Sequence, residues 1–373
     1  MDNKRLTYFD IAKGIAIILV LIGHLQGEIL LYSPYIVYLC IWIFSFHMPF
    51  FFIVSGMLIK YKNDRDRDLN SLITRRFKGI MIPYYLFSIV YIFIVLYSLF
   101  ITKVVPPSTL FVNIWYVIGL YGMNVLWFLP AMFLGEVLFL FIIKKCKSNS
   151  AVSVIIILTV AAYVINVYLQ QLNYDTEFKN RVHELCITLL RPVFVCSFTA
   201  AGYYGYDIID RTGKGMSEKK SRITVLIVSQ LCLIVNIASI IVSMKLLHYN
   251  NIGDFRSLVQ NNIIVYYIAG ISGSAWLILI SRLLSEKGKF KLLIFYGTNS
   301  LVFMGVHNNS AVLTLALKAA MFVNQFLTRA RGYICYLIVI LIMLIYTTIM
   351  ILLINRFFPF MSGKKKVRTG IKA

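Results

Sequence analysis

Apolar residues run on for stretches long enough to cross a membrane, and polar residues gather in short clusters between them. Ten runs stand out, at 9–27, 36–59, 80–101, 124–143, 151–169, 186–206, 223–247, 262–281, 292–316 and 334–357. Each is near or above the roughly 20 residues that an α-helix needs to span the hydrocarbon layer. Lipid offers no partner to a bare backbone, so only helices and closed barrels cross it. Barrel strands would alternate apolar and polar positions over short segments, whereas these runs are continuous. The pattern predicts an all-α, polytopic transmembrane helix bundle of about ten spans. A shorter apolar stretch, Leu110 to Tyr121, follows Pro106-Pro107 and is expected to lie at the outer interface.

Composition agrees. Of the 373 residues 60% are hydrophobic and 14% charged, where a soluble globular sequence is about a quarter charged. Six cysteines, five of them within or at the ends of apolar runs, form no CxxC pair and read as small apolar residues, with no disulfide or metal framework. A net charge of +22 could suggest nucleic acid, but the basic residues sit between the apolar runs, which is the arrangement of topology signals. With the N-terminus inside, 28 of the 37 Lys and Arg residues fall in inner segments. This predicts N-in and C-in, with the first span an uncleaved anchor. The Lys364-Lys365-Lys366 tail is then a cytoplasmic signal touching anionic lipid. The whole chain, 1–373, reads as one integral membrane domain without repeats and without an extracytoplasmic soluble domain.

Ionisable groups inside apolar spans are costly, so each marks function by default. They are Lys13, His24, Glu28, His47, Glu136, Arg191 and His307. Lys13 and His24 lie 11 positions apart, which is three turns plus roughly 20°, so they share one face of the first helix with a rise of ~16 Å. Lys13 is expected near the cytoplasmic edge and His24 beyond the midplane, with Gly23 leaving room beside it. Glu28, four residues on, would orient the His24 ring or mark the outer interface. His47, near the midplane of the second span, is a polar site residue or a hydrogen-bonding partner of another helix; Pro49 and Gly56 are expected to loosen that helix. Trp127 reads as an interface anchor. Glu136 falls near mid-membrane, with Arg191 a candidate partner. His307 lies ~22 Å from the inner edge of the ninth span, a depth similar to that of His24, so the two are expected to share a polar cavity. The basic stretch around Arg75, Arg76 and Lys78 is a topology anchor or a phosphate clamp.

Taken in order, these features resemble the bacterial acyltransferase-3 family of integral membrane O-acyltransferases. The matching elements are Asp10 before Lys13-Gly14, Lys13 before His24, the FHMPFFFIVSG segment from Phe46 to Gly56, Trp127-Phe128-Leu129, and Gly297-Thr298-Asn299-Ser300-Leu301 leading to His307. The resemblance implies a multi-pass enzyme of the bacterial cell (inner) membrane. Its donor would be cytoplasmic acyl-CoA, acetyl-CoA in the usual case, with no bound cofactor and no metal. Its acceptor would be a hydroxyl of a cell-surface polysaccharide or a lipid-linked glycan precursor. His24 matches the essential histidine and Lys13 the basic residue of the same motif. Arg75 and Lys78 match an Arg-x-x-Arg element tied to donor binding, with Lys78 in place of the second Arg. Glu28, His47, Glu136 and His307 remain candidate catalytic or acceptor-side groups. A competing class is a carrier or flippase for a lipid-linked sugar, though no inverted repeat is visible.

Overall fold

The structure is a computed structural model describing residues 7–25, 34–246, 253–260, 262–288, 290–325 and 331–363. Among the described residues, nine helices are long and apolar enough to cross a membrane, and a bent helix pair makes a tenth. The polytopic bundle expected from the apolar runs is therefore present.

The first span is α1, Thr7–His24. The second is broken into α2, Pro34–Phe44, and α3, His47–Tyr61. The break falls at Ser45, whose hydroxyl donates to the Trp42 carbonyl at 2.7 Å, and not at Pro49 or Gly56. Pro49 sits in the first turn of α3, where its missing N–H has no helical partner to lose. After a 3₁₀ turn at Asp64–Asp66 come α4, Leu69–Arg76, a π turn at Phe77–Met81, and α5, Ile82–Phe100. The short apolar stretch forms α6, Pro107–Ile118, held to α5 where the Tyr84 hydroxyl donates to the Val117 carbonyl at 3.0 Å.

A 3₁₀ turn at Asn124–Trp127 leads into α7, Phe128–Lys145, followed by α8, Ser148–Gln171, α9, Glu177–Arg211, and α10, Glu218–Ile241. A small antiparallel hairpin, β1 Gly253–Asp254 and β2 Val259–Gln260, pairs Asp254 with Val259. It precedes α11, Ile263–Lys287. The run at 292–316 is not one helix, contrary to its apolar continuity. It comprises α12, Lys291–Thr298, α13, Ser300–Val306, and α14, Ser310–Asn324, with a bend of 77° between the last two. Asparagines cause the interruptions by offering the backbone other partners. The Asn299 amide donates to the Phe295 carbonyl at 2.8 Å, and Asn309 caps α14 by accepting from Ala311 and Val312. The last span is α15, Arg331–Phe357.

Two glycine-mediated crossings hold the centre together. A Cβ on Gly14 would fall 2.0 Å from the Leu293 carbonyl oxygen, and one on Gly297 1.8 Å from that of Asp10, so α1 and α12 touch backbone to backbone. Gly56 and Gly202 do the same for α3 and α9, each 1.9 Å from the opposing carbonyl. In lipid, where helices gain little from burying apolar surface, such close approach is a main source of association. These crossings fix α1 against α12 and α3 against α9 around the interior that carries the polar groups.

Candidate active site

His24 is the last residue of α1, and its ring is exposed to a cavity of about 390 Å³. The wall also carries His47, His307, Asn124, Trp127, Asp254 and Arg256. The His24 and His307 ring centroids are 5.4 Å apart. Their expected common depth thus becomes direct proximity, because the break after Val306 places His307 where the chain turns. His47 stands further along the wall, with Phe44 between it and His24 at 5.2 Å and 6.3 Å respectively.

The buried histidines have their protons assigned by their neighbours. His47 Nδ1 lies 3.1 Å from the Ile43 carbonyl, and His307 Nδ1 lies 2.9 Å from that of Met304. A carbonyl can only accept, so in each ring Nδ1 carries a hydrogen, and in the neutral ring Nε2 then keeps its lone pair. His307 Nε2 is buried and lacks a partner among the described residues. Glu28, the expected orienting partner of His24, lies outside the described residues, as does the Lys364–Lys366 tail.

At the other end of α1 a second cavity, of about 340 Å³, is lined by Lys13, Lys62, Asp64, Arg75, Arg76 and Glu136 among others. Asp64 is buried and gathers the cations around it. Arg75 approaches its Oδ2 at 2.8 Å, Arg76 at 3.2 Å, and Arg67 reaches Oδ1 at 3.4 Å. Arg76 also pairs with Glu136 at 2.5 Å, and the Ser55 hydroxyl donates to the other oxygen of Glu136. Lys13 pairs with Asp10 at 2.9 Å. Burial, and then the charge of Arg75, push the Lys62 ammonium below its usual pKa. An anion in this cavity would offset that penalty. Phe128 and Met304 belong to both walls, so the two cavities meet there.

Acyltransferase family 3, the family of acyltransferase domains, matches residues 6–356. The chain belongs to it. It is an acyltransferase and a multi-pass membrane protein. No curated protein and no solved structure matches the chain.

In this acyltransferase, Lys13 lines one cavity and His24 the other. Three expected placements differ. Glu136 sits with Arg76 at the Lys13 end, not with the histidines, and its partner is not Arg191. Arg191 instead donates to the Arg256 carbonyl at 2.6 Å and the Tyr121 carbonyl at 3.0 Å, clamping the β1–β2 hairpin to α9. Trp127 is buried between Phe255, stacked at 6.0 Å, and the Arg191 guanidinium at 5.4 Å, so it serves the core and not the interface. Lys78 is exposed on the π turn and absent from the cavity wall, where Gly79 and Ile80 stand instead. The extra residue of a π turn rotates whatever follows it, so spacing alone misplaces this side chain.

Sequence reasoning missed Lys62, Asp64, Asp254 and Arg256. Asp64 lies within a mixed-charge run, Asn63 to Asp68, that looks like a solvated loop. The hairpin carries no apolar signal of its own. A hint lay in Asp254, whose carboxylate turns the chain by accepting from the backbone of Arg256 at 2.9 Å.

Proposed function

We propose that this acyltransferase moves an acyl group, acetyl in the first instance, from cytoplasmic acyl-CoA to a hydroxyl of a cell-surface polysaccharide or its lipid-linked precursor, and that it does so in the bacterial inner membrane. The observation that carries this reading is the pair of cavities at opposite ends of α1, one cationic and one built around His24 and His307, with a common wall at Phe128 and Met304. Lys62, Arg75 and Lys13 suit the phosphates of CoA, which guanidinium and ammonium groups recognise through charge-assisted hydrogen bonds. Arg76, already held by two carboxylates, positions that group of cations and supplies its remaining N–H groups. The positive-inside clusters put the Lys13 end in the cytoplasm, where acyl-CoA is made.

At the opposite end, Asp254, Arg256 and Asn124 give the histidine cavity the polar wall that a hydroxyl-rich acceptor requires. His24, open to the cavity, takes the proton of the acceptor hydroxyl as its oxygen attacks the thioester carbon. The C–O bond forms, the C–S bond breaks, and the proton passes to the departing thiolate. The products are an ester and free thiol. His307, packed beside His24, stabilises the ring that carries the proton in transit.

Sealed vesicles of known orientation test the arrangement. Acyl-CoA should drive transfer only when supplied at the cytoplasmic face, and an impermeant glycan acceptor only at the opposite one. Transfer with both substrates confined to the cytoplasmic face would replace this course with acylation of a precursor before export.

A further inference from the structure

Phe128 and Met304 are the two residues common to both cavity walls. Both are nearly inaccessible, at 4% and 5% exposure, so they close the space where the cavities meet. Their surroundings differ. Phe128 is fixed among rings: Phe52 stacks on it at 5.2 Å, and Phe51 and Trp127 meet it edge-on at 5.8 Å and 6.3 Å. Met304 is unbranched and flexible, the kind of side chain that changes rotamer at little cost. It sits on α13, a helix of 7 residues interrupted at both ends. Its carbonyl accepts from His307 Nδ1, so the residue that narrows the passage also orients one histidine of the site.

We propose that Met304, closing against the fixed ring of Phe128, selects the length of the acyl group. The proposal rests on the reading above, in which the thioester arrives from the Lys13 end. An acyl group then reaches His24 only past these two side chains. The aperture that opens when Met304 swings aside sets the largest group that can be presented. Phe128, wedged by its neighbours, cannot widen it. A short acyl chain passes with a rotamer change of one methionine, and a longer one needs space that Phe128 denies.

Purified enzyme, a fixed hydroxyl acceptor and acetyl-, butyryl- and hexanoyl-CoA supply the test. Met304→Ala should raise kcat/KM for the longer donors relative to acetyl-CoA by ~10-fold or more, the scale on which apolar pockets discriminate methylenes. Met304→Trp should lose transfer with all three donors while still binding acyl-CoA, measured directly. Met304→Leu, close in volume, should insert into the membrane and bind acyl-CoA as wild type does, and so show that the position tolerates substitution. An unchanged preference in folded, membrane-inserted Met304→Ala, or wild-type transfer by Met304→Trp, would overturn the selector. His24→Ala in the same assay separates the failures. If it is inactive while Met304→Ala keeps the wild-type preference, only the selector falls; if it is fully active, the histidine site falls with it.

Discussion

At the scale of single residues, the three histidines of the site differ in what they are free to do. His47 and His307 spend Nδ1 on carbonyls of the preceding turn, that of Ile43 at the end of α2 and that of Met304 in α13, and both are buried. His24 ends its helix with the ring open to the cavity, where a substrate hydroxyl can reach it. General-base chemistry is therefore expected to centre on His24. His24→Ala should reach the membrane at normal abundance and lose transfer by ~10²–10⁴-fold, the usual worth of a positioned base. His47→Asn, which retains a short polar side chain, should lose far less. Comparable losses in both would shift the base assignment from a single ring to the cluster. Glu136 belongs to a different class. Removing it would strand Arg76, whose buried Nη1 already lacks a partner among the described residues, so its loss would act first through folding.

At the scale of elements, the site depends on where helices cross and where they stop. α1 and α12 meet with Gly14 and Gly297 each under a backbone oxygen. Gly297→Ala should push α12 off α1, with an overpacking cost of ~1–3 kcal/mol or more. It should lower the thermal midpoint of the detergent-purified enzyme and weaken donor binding, because Lys13 is the neighbour of Gly14 within the crossing. A variant with wild-type melting and donor affinity would show that α1 yields without consequence.

These contacts also mark what the sequence could disclose. The shared face of Lys13 and His24 follows from helix periodicity alone, and apolar length alone located the spans. The interruption of 292–316 did not follow, because Asn299 and Asn309 break the helix through local hydrogen bonds while the mean apolarity stays high. Gly14 beside Lys13 resembled a motif letter; its physical meaning, contact with the Leu293 backbone, needs a partner helix that no single sequence names. The pairing of Arg76 with Asp64 and Glu136 likewise joins three separate segments, so side-chain type could propose charges but not their partners.

At the scale of the whole molecule, two cavities approach each other from opposite ends of α1 and stop at Phe128 and Met304. A membrane holds its voltage only where it is dry. Water in both cavities would bring each bulk phase up to this partition, so that most of the potential falls across two side chains, ~2.3 kcal/mol per elementary charge for each 100 mV. The reaction proposed above is indifferent to that field, because in it the acyl group and the proton exchange places and no net charge crosses. The partition is then an electrical insulator as much as a part of an enzyme. Proteoliposomes holding the wild-type protein should keep an imposed pH gradient during turnover, whereas Met304→Ala should let it decay. Equal tightness in both would place the insulating layer elsewhere along the helix bundle.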